Sequence, residues 1–337
     1  MLKLRAALTI AACATAVLTQ AQTGRLIVTN QADQTTLIID PNSGQTLFTI
    51  HEPVTGRDTG HEVTASKDGK QAFVPIYGDS GVGRSGTDGH QMLVIDPATG
   101  KITNTIDFGY PVRPHLPVLN PKDGLIYVTT ELDKSVTIVD PKTEKIVGQI
   151  PTGAEQSHML AISRDGLRGY TTNVAAGSIS VLDLPSRKLL KVVPVVAANG
   201  SAVLQRISLS KDDSMLFTSD QTKPQLAVID TKSLTLKKWI PMPGTGYGSA
   251  STLDGRWLLV ALSHANKVAV IDLKTLEVAR TIDVPASPQE ILIRPDGSEA
   301  YVSCNASGKV AEIDTESWTI KRLIQAGKLA DGLAWAK

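Results

Sequence analysis

The sequence predicts an all-β fold: a seven-bladed β-propeller of four-stranded antiparallel blades, closed by its C-terminal strand. Three observations carry this. An aliphatic-Asp pair recurs seven times, an Asp-Gly type turn mark precedes six of the copies, and an unpartnered strand stands at each end of the array.

The aliphatic-Asp pairs are Ile39-Asp40, Ile95-Asp96, Val139-Asp140, Leu182-Asp183, Ile229-Asp230, Ile271-Asp272 and Ile313-Asp314, spaced by 56, 44, 43, 47, 42 and 42 residues. The turn marks are Lys67-Asp68-Gly69, Lys122-Asp123-Gly124, Arg164-Asp165-Gly166, Lys211-Asp212-Asp213, Leu253-Asp254-Gly255 and Pro295-Asp296-Gly297. Asp-Gly between alternating apolar runs is a hairpin signal, because the tight turn requires positive φ. Each unit reads as four short strands; in the sixth they run Tyr247–Leu253, Arg256–Leu262, Lys267–Asp272 and Glu277–Ile282. Val, Ile, Leu and Thr alternate there with polar residues, with no sustained helical period. A linear solenoid would need polar capping repeats, which the ends do not supply.

The ends argue for closure instead. Gly24–Asn30 reads as a second strand with no first strand before it, and Leu329–Trp335 as a first strand with no blade after it. The C-terminal strand is therefore expected to complete the N-terminal blade and remove an exposed sheet edge.

Ahead of the repeats, Lys3 and Arg5 precede an apolar run from Ala6 to Leu18, and Thr19-Gln20-Ala21 offers small residues for cleavage. Residues 1–21 thus read as a secretory signal peptide, too short and wrongly flanked to span a membrane, and residues 22–337 as a single propeller domain. Ile10-Ala11-Ala12-Cys13 also resembles a lipoprotein box, which leaves lipidation at Cys13 as an alternative. The implied location is periplasmic or secreted. Removing the leader takes away two basic residues and no acidic one, moving the net charge from +1 to −1. A near-neutral chain without a basic stripe has no electrostatic footprint for nucleic acid, and nothing calls for a transmembrane span or more than a monomer. Only Cys304 remains, so no internal disulfide can form.

Ile27-Val28-Thr29-Asn30, Tyr127-Val128-Thr129-Thr130, Tyr170-Thr171-Thr172-Asn173 and Tyr301-Val302-Ser303-Cys304 are variants of a Tyr-Val-Thr-Asn signature. With the Ile-Asp pairs they make the chain resemble the YVTN (YncE-like) β-propeller family over essentially its whole mature length. The resemblance implies the fold and an exported setting. It implies no single activity, the related lactonase-like propellers being the main enzymatic precedent.

Chemistry is expected at the entry to each innermost strand, which faces the central funnel. Eight residues before the end of each turn mark stand His61, His158, Gln205, Tyr247 and Gln289. His115 joins them if Lys122 is a one-residue insertion, and Asp331 is the C-terminal equivalent. Three of the chain's six histidines thus fall on adjacent blades beside a carboxylate. His61, His115, His158 and Asp331 form a candidate site for a divalent transition metal: zinc, copper, nickel or iron. The alternative is a polar rim around a water-filled channel. Glu62, Arg113, Glu131 and Arg206, with Gln205, Tyr247 and Gln289, are candidates for binding a small anionic or hydroxylated ligand; the four charges are otherwise solvated rim residues.

The long second step comes from a glycine-rich insertion, Gly78–Gly89. Its Gly81–Gly86 stretch spells G-x-G-x-x-G but lacks the following helix of a dinucleotide site, and it reads as a flap beside His61. Asp79 and Asp88 are alternative calcium ligands without EF-hand spacing. There is no Cys-x-x-Cys-His for covalent haem, no Gly-x-Ser-x-Gly elbow and no Walker lysine. Cys304 reads as a buried thiol, with a thiolate ligand or nucleophile as its alternative. The functional expectation is an exported propeller that binds a small ligand or metal ion at the funnel mouth. The alternatives are a metal-assisted, lactonase-like hydrolase and a scaffold for an envelope protein.

Overall fold

The protein is described by a computed structural model covering residues 24–197 and 200–337. The expected leader and Cys13 lie outside the described residues. Among the described residues seven antiparallel blades of four strand positions surround an axis, and a small two-stranded sheet, Val196–Ala197 with Gly200–Ser201, stands apart from them. The third blade is typical: Pro114–Leu119 lies innermost, followed outward by Ile126–Thr130, Ser135–Asp140 and Lys145–Pro151. The innermost strands of blades four, five, six and seven are Ser157–Ile162, Leu204–Leu209, Ser249–Ser251 and Pro288–Ile293. No helix among the described residues is long and apolar enough to cross a membrane.

Closure follows the expectation. Ala330–Ala336 pairs with Arg25–Asn30 as the inner strand of the first blade, with Leu26 opposite Trp335 and Val28 opposite Leu333. Ala330, Leu333, Ala334 and Ala336 are buried by this docking. The two middle strands of each blade are buried on both faces because a neighbouring blade covers each side. Ile126-Tyr127-Val128 and Trp257–Leu262 accordingly read as continuous apolar runs, whereas outermost strands such as Lys145–Pro151 are largely exposed. Apolar clusters fill the wedges between blades, Ile27 and Ile38 of the first blade packing with Val74 and Leu93 of the second. Each fully buried Ile or Leu is worth about 1.5–3 kcal/mol.

The repeat marks have structural jobs. Asp96 accepts hydrogen bonds from Ala98 N and Thr99 Oγ1, both at 2.8 Å, and Asp140 accepts one from Lys142 N at 2.9 Å. The Asp of each aliphatic-Asp pair is therefore a turn cap between the third and fourth strands. The Thr of the signature ties neighbouring blades together. Thr29 Oγ1 donates to His61 O at 2.7 Å and Thr129 Oγ1 to His158 O at 2.8 Å. Thr172 Oγ1 does the same to Gln205 O. Thr129 also accepts Leu116 N at 3.0 Å, and Thr29 accepts Gly332 N at 2.9 Å. One hydroxyl thus fixes two inner-strand backbones at the funnel.

Two inner strands depart from the expected pattern. In the sixth blade regular pairing is confined to Ser249–Ser251, because Gly248 comes so close to the seventh blade that a Cβ there would lie 2.2 Å from Gln289 O. In the second blade the inner strand is split into Thr59–Gly60 and Thr64–Ala65, leaving His61 to Val63 between the segments.

Candidate functional site

The inner strands do not enter the sheet smoothly. Pairing shifts register between Val128 and Thr130 opposite the third inner strand, and between Val28 and Asn30 opposite the first. The inner strands of blades four, five and seven shift at Ser157/Met159, Leu204/Ile207 and Pro288/Ile291. A bulge re-aims the side chains beside it. Here it sits at the rim positions singled out from the sequence and turns two consecutive side chains toward the axis.

Three imidazoles meet there. His115 and His158 stack with ring centroids 3.8 Å apart, and His61 meets His115 edge-on at 5.5 Å. Tyr77 lies among them, at 4.9 Å from His61, 5.0 Å from His115 and 5.9 Å from His158. Burial strongly disfavours an added charge, so all three histidines are neutral near pH 7. Desolvation, helped by His158 and Arg206, pushes His61 down to about 3. Desolvation and the neighbouring imidazoles take His115 well below its usual value. His158 is lowered by burial against the opposing pull of Glu131. The Nδ1 of His115 is buried without a hydrogen-bond partner. Such an orphan is costly and marks a place where a partner is expected.

Two charge networks flank the imidazoles. Arg206 reaches from the fifth blade to Glu62 of the second at 2.5 Å, to Asp331 of the first at 3.2 Å, and to Glu290 of the seventh. Desolvation, partly offset by Arg206 and reinforced by Asp331, raises Glu62 to about 8. Asp331 is raised by the same burial and also accepts a hydrogen bond from Gln31 Nε2 at 2.5 Å. The second network is centred on Glu131. It accepts from the Tyr77 hydroxyl at 2.6 Å, stands 3.3 Å from His158 Nδ1 and pairs with Arg113 at 3.4 Å. Burial raises the Glu131 carboxyl, but these partners outweigh burial and hold it below its ordinary value. Together the networks bring two guanidiniums against five carboxylates.

Of the candidate metal set, the structure brings the three histidines together. The Asp331 carboxylate bonds Arg206 and Gln31 and acts on His158 through charge alone. No group of three or more His, Cys, Asp or Glu among the described residues is arranged to hold a metal ion. Glu62, Arg113, Glu131 and Arg206 are buried in the networks, not solvated at a rim. Gln205 Nε2 donates to the Tyr247 hydroxyl at 3.1 Å, and Arg206 lies 5.1 Å from the Tyr247 ring. Gln289 contributes its backbone carbonyl, which accepts Gly248 N at 3.0 Å. Cys304 is fully buried, and desolvation raises its thiol to about 12, so no thiolate is present near neutrality.

Sequence reasoning missed Tyr77, Gln31 and Glu290. The signal was available. Gln31 and Glu131 each follow the fourth residue of a signature segment, Tyr77 follows the corresponding second-strand stretch Phe73-Val74-Pro75-Ile76 of the second blade, and Glu62, Arg206 and Glu290 each follow a rim residue.

The insertion forms a flap over this side of the funnel. Arg113 Nε holds Asp88 at 2.5 Å and Arg113 donates to Arg84 O at 2.7 Å, while Asp79 Oδ1 accepts Thr87 N at 2.6 Å. Both aspartates are thereby engaged within the protein. Between the flap and the first blade opens a cleft of about 560 Å³, with His61 in its wall. A cavity of about 570 Å³ lies on the opposite face around Lys67, Lys122 and Lys142, where Asp68, Asp123 and Asp140 serve as turn caps.

Residues 85–294 match the family model described as the cytochrome D1 heme domain. No curated protein sequence matches the chain significantly. Among solved structures, the dihydro-heme d1 dehydrogenase NirN in complex with DHE is 14% identical, with TM-score 0.66 over 92% of this chain and 75% of that one. A streptogramin B lyase is 17% identical, with TM-score 0.67 over 83% of this chain and 89% of that one. A proposed 6-phosphogluconolactonase from Bacteroides uniformis is 12% identical, with TM-score 0.71 over 93% of this chain and all of that one. At these identities the likeness establishes the propeller fold and nothing finer.

Proposed function

The chain belongs to the cytochrome D1 heme domain family, and from that premise we propose that it is an exported binding propeller whose axial chamber takes a transition-metal ion rather than a haem. A haem needs a planar slot beside an axial ligand. Here Arg206 crosses the axis to three carboxylates, and His115 stacks on His158 with centroids 3.8 Å apart and planes tilted by 29°. Both guanidiniums that acidic haem substituents would require are already neutralised by protein carboxylates. The residues present do not fit the macrocycle.

The observation that carries the metal reading is the set of three neutral imidazoles, one with an orphaned ring nitrogen, inside a shell with more carboxylates than guanidiniums. Neutral imidazole is a good ligand for zinc, copper, nickel or iron, and the surplus negative charge favours a cation. Loading requires the His115 ring to leave its stack on His158. In this reading His61, His115 and His158 are the ligands, and Asp331, already committed to Arg206, completes the shell electrostatically or by displacement. Export rests on residues 1–21, whose pattern is that of a cleaved leader.

The test is elemental analysis of the purified protein, followed by thermal unfolding with added ZnCl₂ or CuCl₂. Copurified metal or a rise in Tm supports the proposal. His115→Ala should abolish both while lowering the metal-free Tm only modestly, since the packing lost against His158 and Tyr77 is partly offset by removal of an unsatisfied buried nitrogen. Wild-type protein with no metal and no Tm response would overturn the proposal. Hydrolysis at such an ion is a second reading, favoured by the cleft that brings a molecule to His61. Metal-dependent turnover of a simple lactone, lost in His61→Ala, would establish it.

A further inference from the structure

We infer that the cleft between the first two blades is a separate binding site for a small hydroxylated carboxylate, roofed by the flap. Its volume of about 560 Å³ lies within the roughly 300–1,000 Å³ of small-molecule sites. Arg57 is the only guanidinium or ammonium among the lining residues, and it stands exposed at the lip. A guanidinium in that position pairs with a carboxylate through two parallel hydrogen bonds. Asp79, the only carboxylate among the lining residues, has one oxygen on Thr87 N, which leaves its second oxygen to accept from a ligand hydroxyl away from Arg57.

The remaining polar walls suit hydroxyl groups. Ser80 lines the cleft and is 5% exposed, yet its Oγ has no hydrogen-bond partner. A buried hydroxyl left with both a donor and acceptor unused is an unfilled half of a hydrogen bond. Gln34 adds an amide whose Nε2 is spent on the carbonyls of Gly56 and Asp58, which leaves its oxygen as an acceptor. His61 supplies an imidazole at the inner wall.

The roof is built, not loose. Gly78 sits at φ +115°, where a Cβ would lie 2.0 Å from Thr87 O, so only glycine lets the flap fold back on itself. Arg113 then fastens the far end through Asp88 and Arg84, and this holds Ser80 over the cleft. The site shares His61 with the chamber but needs no metal.

The test is isothermal titration of metal-stripped protein with D-gluconate, beside sorbitol, which lacks the carboxylate, and hexanoate, which lacks the hydroxyls. Gluconate should give a saturable isotherm at least about tenfold tighter than either control. Arg57→Ala and Ser80→Ala should each weaken it by about fivefold or more, the scale of losing one hydrogen bond to a charged or buried group. No binding of gluconate, equal binding of all three probes, or full affinity in both variants would overturn the inference. Because metal is absent throughout, failure of the metal proposal leaves this result unaffected.

Discussion

Replacing Arg206 by Met tests whether the cross-axis network is the electrostatic keystone of the funnel. Arg206 is buried and faces Glu62 at 2.5 Å, Asp331 at 3.2 Å and Glu290. Met keeps much of the volume but removes the only cation among the described residues in contact with these three carboxylates. Breaking a buried pair by removing one partner costs about 3–5 kcal/mol, because the other charge is left unpaired. The size of the loss must depend on pH, and its sign follows from Glu62. Its carboxyl titrates at 4.5 in the reference state and is raised to about 8 in the folded protein. Between these values the native state holds a proton that the unfolded state has released. Stability therefore falls as pH rises through the window, by about 1.4 kcal/mol per pH unit for each proton so held. Arg206 is what limits this in the wild type, since it favours the ionised forms of both Glu62 and Asp331. Without it Asp331 holds its proton over more of the window, and the slope steepens. Urea unfolding followed by tryptophan fluorescence at pH 5 and pH 8 measures both effects. Arg206→Met should be destabilised by about 3–5 kcal/mol at pH 8, and by markedly less at pH 5, where neutral carboxyls no longer need the guanidinium. A loss equal at the two pH values, or one below about 1 kcal/mol at pH 8, would refute the reasoning.

Truncation before Leu329 removes the strand that pairs with Arg25–Asn30, and it should cause aggregation or a large fall in Tm; an unchanged melting curve with no association would rule out closure by this strand. Replacing Asp79 to Asp88 with a short turn should leave the fold intact, because loop-closure entropy varies slowly with length, but should lower Tm, since the buried Arg113 loses Asp88 and Arg84 O as partners; it should also expose Tyr77 and His61 to solvent, as read by faster histidine modification with diethyl pyrocarbonate. Thr129→Val removes a hydroxyl that bonds Leu116 N and His158 O, and should cost about 1–3 kcal/mol in urea unfolding; a neutral result would deny that the signature threonine ties blades together. Cys304, fully buried with its thiol raised to about 12, should react with a thiol-specific disulfide reagent only on unfolding, and stoichiometric reaction of the native protein would contradict its placement.

The period of the sequence determined the architecture because every blade solves the same local problem. Asp96 and Asp140 must cap their turns, the middle strands must be apolar on both faces, and Thr29 and Thr129 must tie one inner strand to the next. Each of these requirements acts over a few residues or between adjacent copies, so it leaves a mark at a fixed spacing. The rim histidines were legible for the same reason, as residues at one phase of the repeat. Their partners were decided by closure of the ring. Arg206 meets Glu62 across 144 positions and Asp331 across 125, and no periodic signal couples blades on opposite sides of an axis. The bulges also turn the residue after each rim position inward, which converted Glu62 and Arg206 from expected surface charges into buried ones. Desolvation in that closed space, absent from any reading of residue types, is what leaves the histidines neutral and raises Glu62.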